Sequence, residues 1–404
     1  MAGATITTLS NVLKEYYLPP TVEQLNNDVL LLQRLNASDK EIFGKGVFFP
    51  VHYGRNTGVG ARGESIALAA AGNQAYDRAT FDLAYLYGRI RVTGPSMIKS
   101  STEAGAFLQA LKSEMDGVRN DLTKDLARQL YGTGDGVIAT VGTGTASATQ
   151  TVTSDEALRK AQIFPGMLVD VGTAANPVAT LDSTSGANPV LSVSIANKTV
   201  TFTSSITTTT SDKIVRQGSN KANGTYETNG IQQIIPTAAN TFGGIDATAS
   251  GKAYWDVQRV NMNGALTQDA MLQLWNAQKL QGAAPSAIYT SLGVQRAYFN
   301  TLQGQVRFDK PTQLEGGFEA LQFNNKPIIA DIDAPYGKMY FLDEPNLVVF
   351  SDNDWHFLDE DGDVLKWVIG FDAWEAALAR YIQFGARRRN TQGLLFGITD
   401  TTGL

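Results

Sequence analysis

Cysteine is absent from the 404 residues, and histidine occurs only as His52 and His356. The first absence excludes disulfide staples, thiolate metal sites and cysteine nucleophiles. The second leaves a Ser-His-Asp arrangement or a multi-histidine metal centre almost no material. No Gly-x-Gly-x-x-Gly opens a helix after a strand and no Walker-type loop ends in Gly-Lys-Ser/Thr, so nucleotide cradling has no support. No apolar run approaches the roughly eighteen residues that span a bilayer, and no signal-peptide core follows Met1. Neither membrane embedding nor that route of secretion is expected. A formal charge of −6, from 33 basic and 39 acidic residues, argues against a dedicated nucleic-acid binder, which needs clustered Lys and Arg. Nothing among the carboxylates selects a hydrolytic pair. The expectation is no enzyme, no cofactor and no resident metal.

What is present begins with an extended, Gly-rich excursion. Val47 to Tyr53 form one β-prone run and Thr80 to Val92 another, with Gly54, Gly58, Gly60, Gly63 and Gly72 between them. Strand formers flanking a Gly-punctuated middle predict a two-stranded ribbon with a mobile tip. A lone ribbon is marginal in water, so a partner must help to hold it, unless it is an ordinary hairpin folded onto its own domain. One uninterrupted amphipathic helix follows. Ser100 and Glu103 have capping-box spacing, and Phe107, Leu111, Met115, Val118, Leu122, Leu126 and Leu130 recur at steps of three or four. Lys112, Glu114, Arg119, Asn120, Lys124 and Arg128 stand off that stripe, and Gly132 and Gly134 end the helix.

From about Gly134 to Gly218 the composition shifts to Thr, Ser, Gly, Ala and Val, with Phe164 and Phe202 the only aromatics. Leu191, Val193 and Ile195 alternate with serines, Ala196-Asn197-Lys198 supplies a turn, and Val200 and Phe202 alternate with threonines. This predicts a hairpin inside a small all-β insertion, a barrel or sandwich; a Thr-rich low-complexity linker is the alternative. After Asn220, helices at 266–281 and 292–302 alternate with strands at 287–289, 326–330 and 338–341, an α/β region. More extended segments follow at 347–351, 364–369 and 375–384, the last of which could pass as a helix on propensity alone.

Asp352, Asp354, Asp359, Glu360, Asp361 and Asp363 crowd one stretch. Such oxygens could hold Ca²⁺ or Mg²⁺, yet counting back from Gly362 puts Phe357 in the first calcium-loop slot and Val368 in the last, so the pattern fails. A solvated acidic turn, or a surface that meets arginines on a neighbour, is the reading preferred. Arg387, Arg388 and Arg389 are the complement, able to face phosphate or carboxylates. Arg55, Arg62 and Arg78 of the ribbon are further candidates for contact with acidic residues of a neighbour.

In this order, the ribbon at 46–98, the helix at 101–131 and the closing stretch from Leu347-Val348-Val349-Phe350 through Asp372-Ala373-Trp374-Glu375-Ala376-Ala377-Leu378 to Arg387-Arg388-Arg389 resemble the major capsid proteins of tailed bacteriophages, the Hong Kong 97-type fold shared with encapsulin shells. The resemblance implies an α+β chain divided into an N-terminal arm (1–45), an extended β-ribbon loop (46–98), a spine helix of the peripheral domain (99–133), an inserted all-β module (134–219), an apical α/β domain (220–345) and return strands with a C-terminal segment (346–404). It implies a homo-oligomer of hexamers and pentamers in an icosahedral shell around double-stranded DNA held non-specifically, in a virion assembled in the host cytoplasm. It also implies a portal and, in places, a cement or decoration protein. Some relatives weld subunits by an isopeptide bond from a lysine in the extended loop. No lysine stands between positions 46 and 98 here, so a shell without that crosslink is expected. Only about forty-five residues precede the ribbon, so a separate scaffolding protein is expected rather than a cleavable scaffolding domain. An encapsulin-like compartment is the alternative, and a glycan-binding or carboxylate-based hydrolytic protein built around the β-module is the third.

Overall fold

The structure, a computed structural model, describes residues 30–38, 42–43, 46–95, 104–172, 188–210, 212–221, 224–225, 227–303, 321–359 and 364–399. Among them one long helix and three six-stranded sheets carry the architecture. The helix runs Ala104–Tyr131, 28 residues, or about 42 Å at a rise of about 1.5 Å per residue. Its capping-box pair, Ser100 and Glu103, lies outside the described residues, as do the side chains of Phe107, Leu111 and Lys112. The rest of the apolar stripe sinks along the rod: Met115, Val118 and Leu122 are half-buried, Leu126 and Leu130 fully buried.

Beneath the helix lies a sheet organised by the strand Ala373–Ala386. One edge of it pairs antiparallel with Ala84–Thr93; the other takes Leu347–Ser351, His356–Phe357 and Lys366–Trp367 in turn. Leu347–Ser351 also pairs in parallel with Asn36–Ser38. Alternation along Ala84–Thr93 puts Leu86, Ile90 and Val92 on the buried face and Tyr85, Tyr87 and Arg89 on the exposed one. Gly88 sits on the buried face, where an added Cβ would stand 2.6 Å from methyls of both Val118 and Leu122. The absent side chain is what lets the helix lie flush on the sheet.

The ribbon differs from expectation in its second strand. The run from Thr80 to Val92 is not one strand of a ribbon but is divided at Leu83. Ala75–Asp82 pairs with Gly46–Gly54 to make the ribbon, whereas Ala84–Thr93 leaves for the sheet under the helix. Both runs are equally β-prone, and only the long-range partner at 373–382 decides where one sheet ends.

The Thr-rich stretch folds as an antiparallel sheet of strand order 137–140, 213–216, 168–172, 188–194, 199–208 and 144–151. A bridge between Val141 and Val152, with Gly142 N–H donating to Thr151 O at 2.7 Å, joins the first strand to the last and closes a barrel. Its core, including Val169, Val171, Val200, Phe202 and Ile214, is made only of residues from its own segment. The hairpin of Val200 and Phe202 forms, but a register shift opposite residues 190–192 turns Val190 inward and leaves Leu191 63% exposed.

The third sheet has the order 258–264, 393–398, 339–342, 287–290, 326–330 and 322–323. It carries the helices Gln268–Leu280 and Leu292–Gln303 at the expected places. The Thr267 hydroxyl caps the first by accepting from Ala270 N–H at 3.3 Å. The ambiguous segment 375–384 is strand. Its apolar residues Ile382 and Phe384 join the main core with Leu126, Leu130, Val47 and Phe81, and Leu378 is buried as well.

Gly88→Val forces bulk between sheet and helix, and a loss of about 1–3 kcal/mol is expected in denaturant unfolding. Gly60→Val, which meets nothing within 4 Å, is expected to stay within about 0.5 kcal/mol of the parent.

Candidate intersubunit surface

The base of the ribbon belongs to its own chain. Val47, Ala79 and Phe81 are buried in the main core, and Phe81 packs on Phe242 with ring centroids 4.9 Å apart. Thr80 N–H donates to Gly243 O at 2.9 Å. Three residue pairs further out, Asp77 accepts from Lys252 Nζ at 2.7 Å and from the Tyr254 hydroxyl at 2.9 Å. The Tyr254 ring stacks on Tyr53, 4.3 Å between centroids at 4°. The bonds from Lys252 and Tyr254 hold the Asp77 carboxyl below its ordinary range. His52 Nε2 lies 2.8 Å from Gln74 Oε1 and 2.9 Å from Gly54 O, tying the two strands together where the ladder ends.

Beyond that point the chain is largely exposed among the described residues. Residues 55–74 contain no strand, and Val59, Ile66 and Leu68 are 83%, 65% and 89% exposed. Arg55 and Arg62 stand exposed in the same excursion; Arg78 lies on the ribbon with its guanidinium 4.5 Å over the Phe48 ring. Three large apolar side chains exposed in one excursion make it a candidate interaction surface.

The acidic stretch is only partly described. Asp352, Asp354 and Asp359 are exposed, and Asp354 pairs with Arg380 at 3.5 Å. Glu360, Asp361 and Asp363 lie outside the described residues. The arginine triplet does not act as a unit. Arg387 and Arg388 are exposed, Arg388 donating to Gln281 O at 3.0 Å. Arg389 is withdrawn from the expected contact set because it is fully buried in its own chain. Its Nε donates to Ile234 O at 2.7 Å, its fork reaches Asn240, and its plane lies 5.3 Å from the Phe242 ring. Burial among carbonyls, with no carboxylate bonded to it among the described residues, pulls this guanidinium down to about 10.

Sequence reasoning also missed a charged node at the end of the long helix. Lys124 and Arg128, which stand off the apolar stripe, are engaged. Lys124 Nζ meets Asp333 Oδ2 at 3.0 Å; Arg128, 7% exposed, meets Asp125 at 3.0 Å and Glu227 at 2.5 Å. Asp125 also accepts from Arg216 of the barrel at 3.0 Å and from Gln129 at 2.8 Å. Burial pushes the Asp125 carboxyl up, but the Arg128 and Arg216 guanidiniums outweigh it and hold it at about 2. Glu227 goes the other way, raised by burial and by the charge of Asp125 against the pull of Arg128. The i, i+3 pair Asp125 and Arg128 was the one local signal available.

A ribbon leaving a sheet that bears a long spine helix, with an α/β sheet beyond, defines the Hong Kong 97-type capsid fold. The capsid protein in the cyanophage A-1(L) asymmetric unit superposes with a TM-score of 0.57 at 15% identity, over 98% of this chain and 100% of that one. The capsid of the native GTA particle gives 0.52 at 11% identity, over 95% and 96%. The holo-SrpI encapsulin complex from Synechococcus elongatus PCC 7942, at 0.48 and 8% identity, is too distant to carry an argument. No protein-family model and no curated protein sequence matches the chain.

Asp77→Asn is expected to loosen the ribbon base at neutral pH, read as faster amide exchange at 46–54 and 75–82. Because the folded carboxyl is depressed, its stabilisation is complete above the unfolded value of about 4 and is lost as the pH falls through the folded value. The difference between variant and parent should therefore close in that acid window.

Proposed function

We propose that this chain is the major capsid protein of a tailed bacteriophage, assembling as hexamers and pentamers into the icosahedral head shell around double-stranded DNA. The observation that carries the reading is the ribbon. Its base is locked into its own core, while its outer excursion presents Val59, Ile66 and Leu68 to solvent. A monomer gains nothing from such an arm; a neighbouring copy covers it. End-to-end correspondence with two capsid subunits supports the same conclusion.

On this reading the six-part division given above applies, with the ribbon lying over the next subunit and Arg55, Arg62, Arg78, Arg387, Arg388 and Asp359 as contact residues. The absence of lysine from 46–98 supports a shell held without an isopeptide crosslink through the extended loop. The chain works with a separate scaffolding protein and a portal, and a cement protein is compatible with the exposed barrel. DNA is enclosed without sequence preference, in keeping with the net charge of −6. The product is a virion component assembled in the host cytoplasm, with no catalytic role. Among the described residues no helix is long and apolar enough to cross a membrane.

Negative-stain electron microscopy and light scattering of the purified chain, with and without scaffolding protein, test the proposal. Closed shells, rings of five or six, or tubes are expected; a monodisperse monomer under both conditions overturns it. A DNA-free particle enclosing a cargo enzyme would instead establish the encapsulin-type compartment. Replacing Val59, Ile66 and Leu68 together by serine is expected to abolish particles while the subunit keeps its unfolding midpoint. Charge reversal of Arg55, Arg62 and Arg78 should do the same, and unchanged assembly would remove them from the interface. Denatured particles should run as a single subunit band; a covalent ladder would refute the crosslink-free shell.

A further inference from the structure

Three bodies meet near residue 125: the end of the spine helix, the loop 331–337 of the apical sheet, and the barrel. Each pair is joined by polar contacts at least partly removed from water. Spine and apical loop are joined by Lys124 Nζ to Asp333 Oδ2 at 3.0 Å and by the Tyr131 hydroxyl to Asp331 Oδ2 at 2.9 Å. Barrel and apical loop are joined by Lys160, which is 8% exposed. Its ammonium donates to Ala334 O at 2.8 Å, Asp333 O at 3.2 Å and Glu156 Oε1 at 2.6 Å. Glu156 in turn accepts from Tyr336 N–H at 3.3 Å. Barrel and spine are joined by Arg216 Nε to Asp125 Oδ1 at 3.0 Å.

These contacts form a closed triangle. Two bodies joined along one line can hinge about it, whereas a third body fixed to both removes that freedom. The barrel is suited to be that third side. Among the described residues its apolar core contains none of the residues of the spine helix or the apical sheet, so the polar contacts of Arg216, Lys160 and Glu156, rather than a shared core, join it to them. Asp333 serves two sides at once, its carboxylate to the spine and its carbonyl to the barrel.

We propose that the barrel is a brace that fixes the angle between spine helix and apical sheet, and that, given the shell reading, it thereby sets the curvature at which subunits associate. The brace is a property of the single subunit and the curvature a property of the particle, so the two are tested separately.

Amide hydrogen exchange on the full-length unassembled chain is measured for Arg216→Ala and Lys160→Met. Thr201→Ala is the control, since the Thr201 hydroxyl bonds only to that of Thr149 across two barrel strands, at 3.0 Å, among the described residues. Each latch variant is expected to speed exchange in 124–131 and 331–337 by about tenfold, the effect of losing one charge-assisted bond, with barrel amides and the control unchanged. Unchanged exchange in both segments for both variants overturns the brace. Should Lys160→Met fail to fold, Arg216→Ala decides alone, because Asp125 keeps Arg128 as a partner. Particle diameter is then read by electron microscopy. Shifted or broadened diameters, or tubes, are expected from both variants. Loosened exchange with wild-type diameters overturns the curvature claim and leaves the brace. Loosened exchange in the variants, together with an unmodified chain that itself forms no particles, overturns the shell reading instead, and with it the curvature claim.

Discussion

The antiparallel ladder that runs from Ala373 opposite Thr93 to Ile382 opposite Ala84 sets the position of almost everything else. It ties two segments nearly three hundred residues apart. Because side chains alternate, it decides that Leu86, Gly88, Ile90 and Val92 form the floor on which the spine helix rests. A slip of one residue would turn Tyr85, Tyr87 and Arg89 toward the helix and remove the gap at Gly88. The same ladder fixes where the ribbon leaves the body, since Ala75–Asp82 runs into Ala84–Thr93 through Leu83 alone. Such distant pairing requires a large loop to close, which raises the contact order of the fold and slows folding on general grounds.

Around that ladder the subunit buries charge in two different ways. Among the described residues Arg389 has no bonded carboxylate and is solvated by carbonyls and an aromatic face, so its charge is tolerated inside one body and fixes the loop at 234–240. Asp125, Arg128, Arg216 and Glu227 instead stand where helix, barrel and connecting chain meet. Replacing such a network by apolar groups often costs little, but breaking it from one side leaves a charge unpaired. Polar joints of this kind specify a single geometry between bodies, where an apolar seam would permit sliding.

What could be read from the chain follows from the range of the interactions concerned. The spine helix is written in a repeat of three and four, the barrel hairpin in alternation around Ala196-Asn197-Lys198, and the helix 268–280 in its Thr267 cap and following Gly282. These are signals within a few residues. The division at Leu83 is not local, because the two halves differ only in their partners. Neither is the inward turn of Val190, which a bulge reverses, nor the burial of Arg389, whose triplet looks like surface until Ile234 and Asn240 come to meet it. At the interaction surface the signal was the mismatch between strong strand formers and a Gly-rich middle. The identity of Val59, Ile66 and Leu68 as its apolar tip, and of Asp77 with Lys252 and Tyr254 as its anchor, required the fold.

On the shell reading, the anchored base changes the energetics of association. A free two-stranded arm would lose conformational entropy on docking, whereas a ribbon already aimed by its own core brings that cost into folding of the subunit. The apolar tip and the surface it lands on are different patches of the same chain, so the contact is heterologous. Such contacts repeat head to tail, and they close into rings when the rotation per subunit divides a full turn. That rotation depends on how rigidly the ribbon, the sheet, the spine and the apical body are held to one another. The ladder under the helix fixes the first three, and the polar triangle at Asp125 and Asp333 fixes the fourth. On that reading, and with the proposed brace in place, closure is decided inside each subunit before two of them meet.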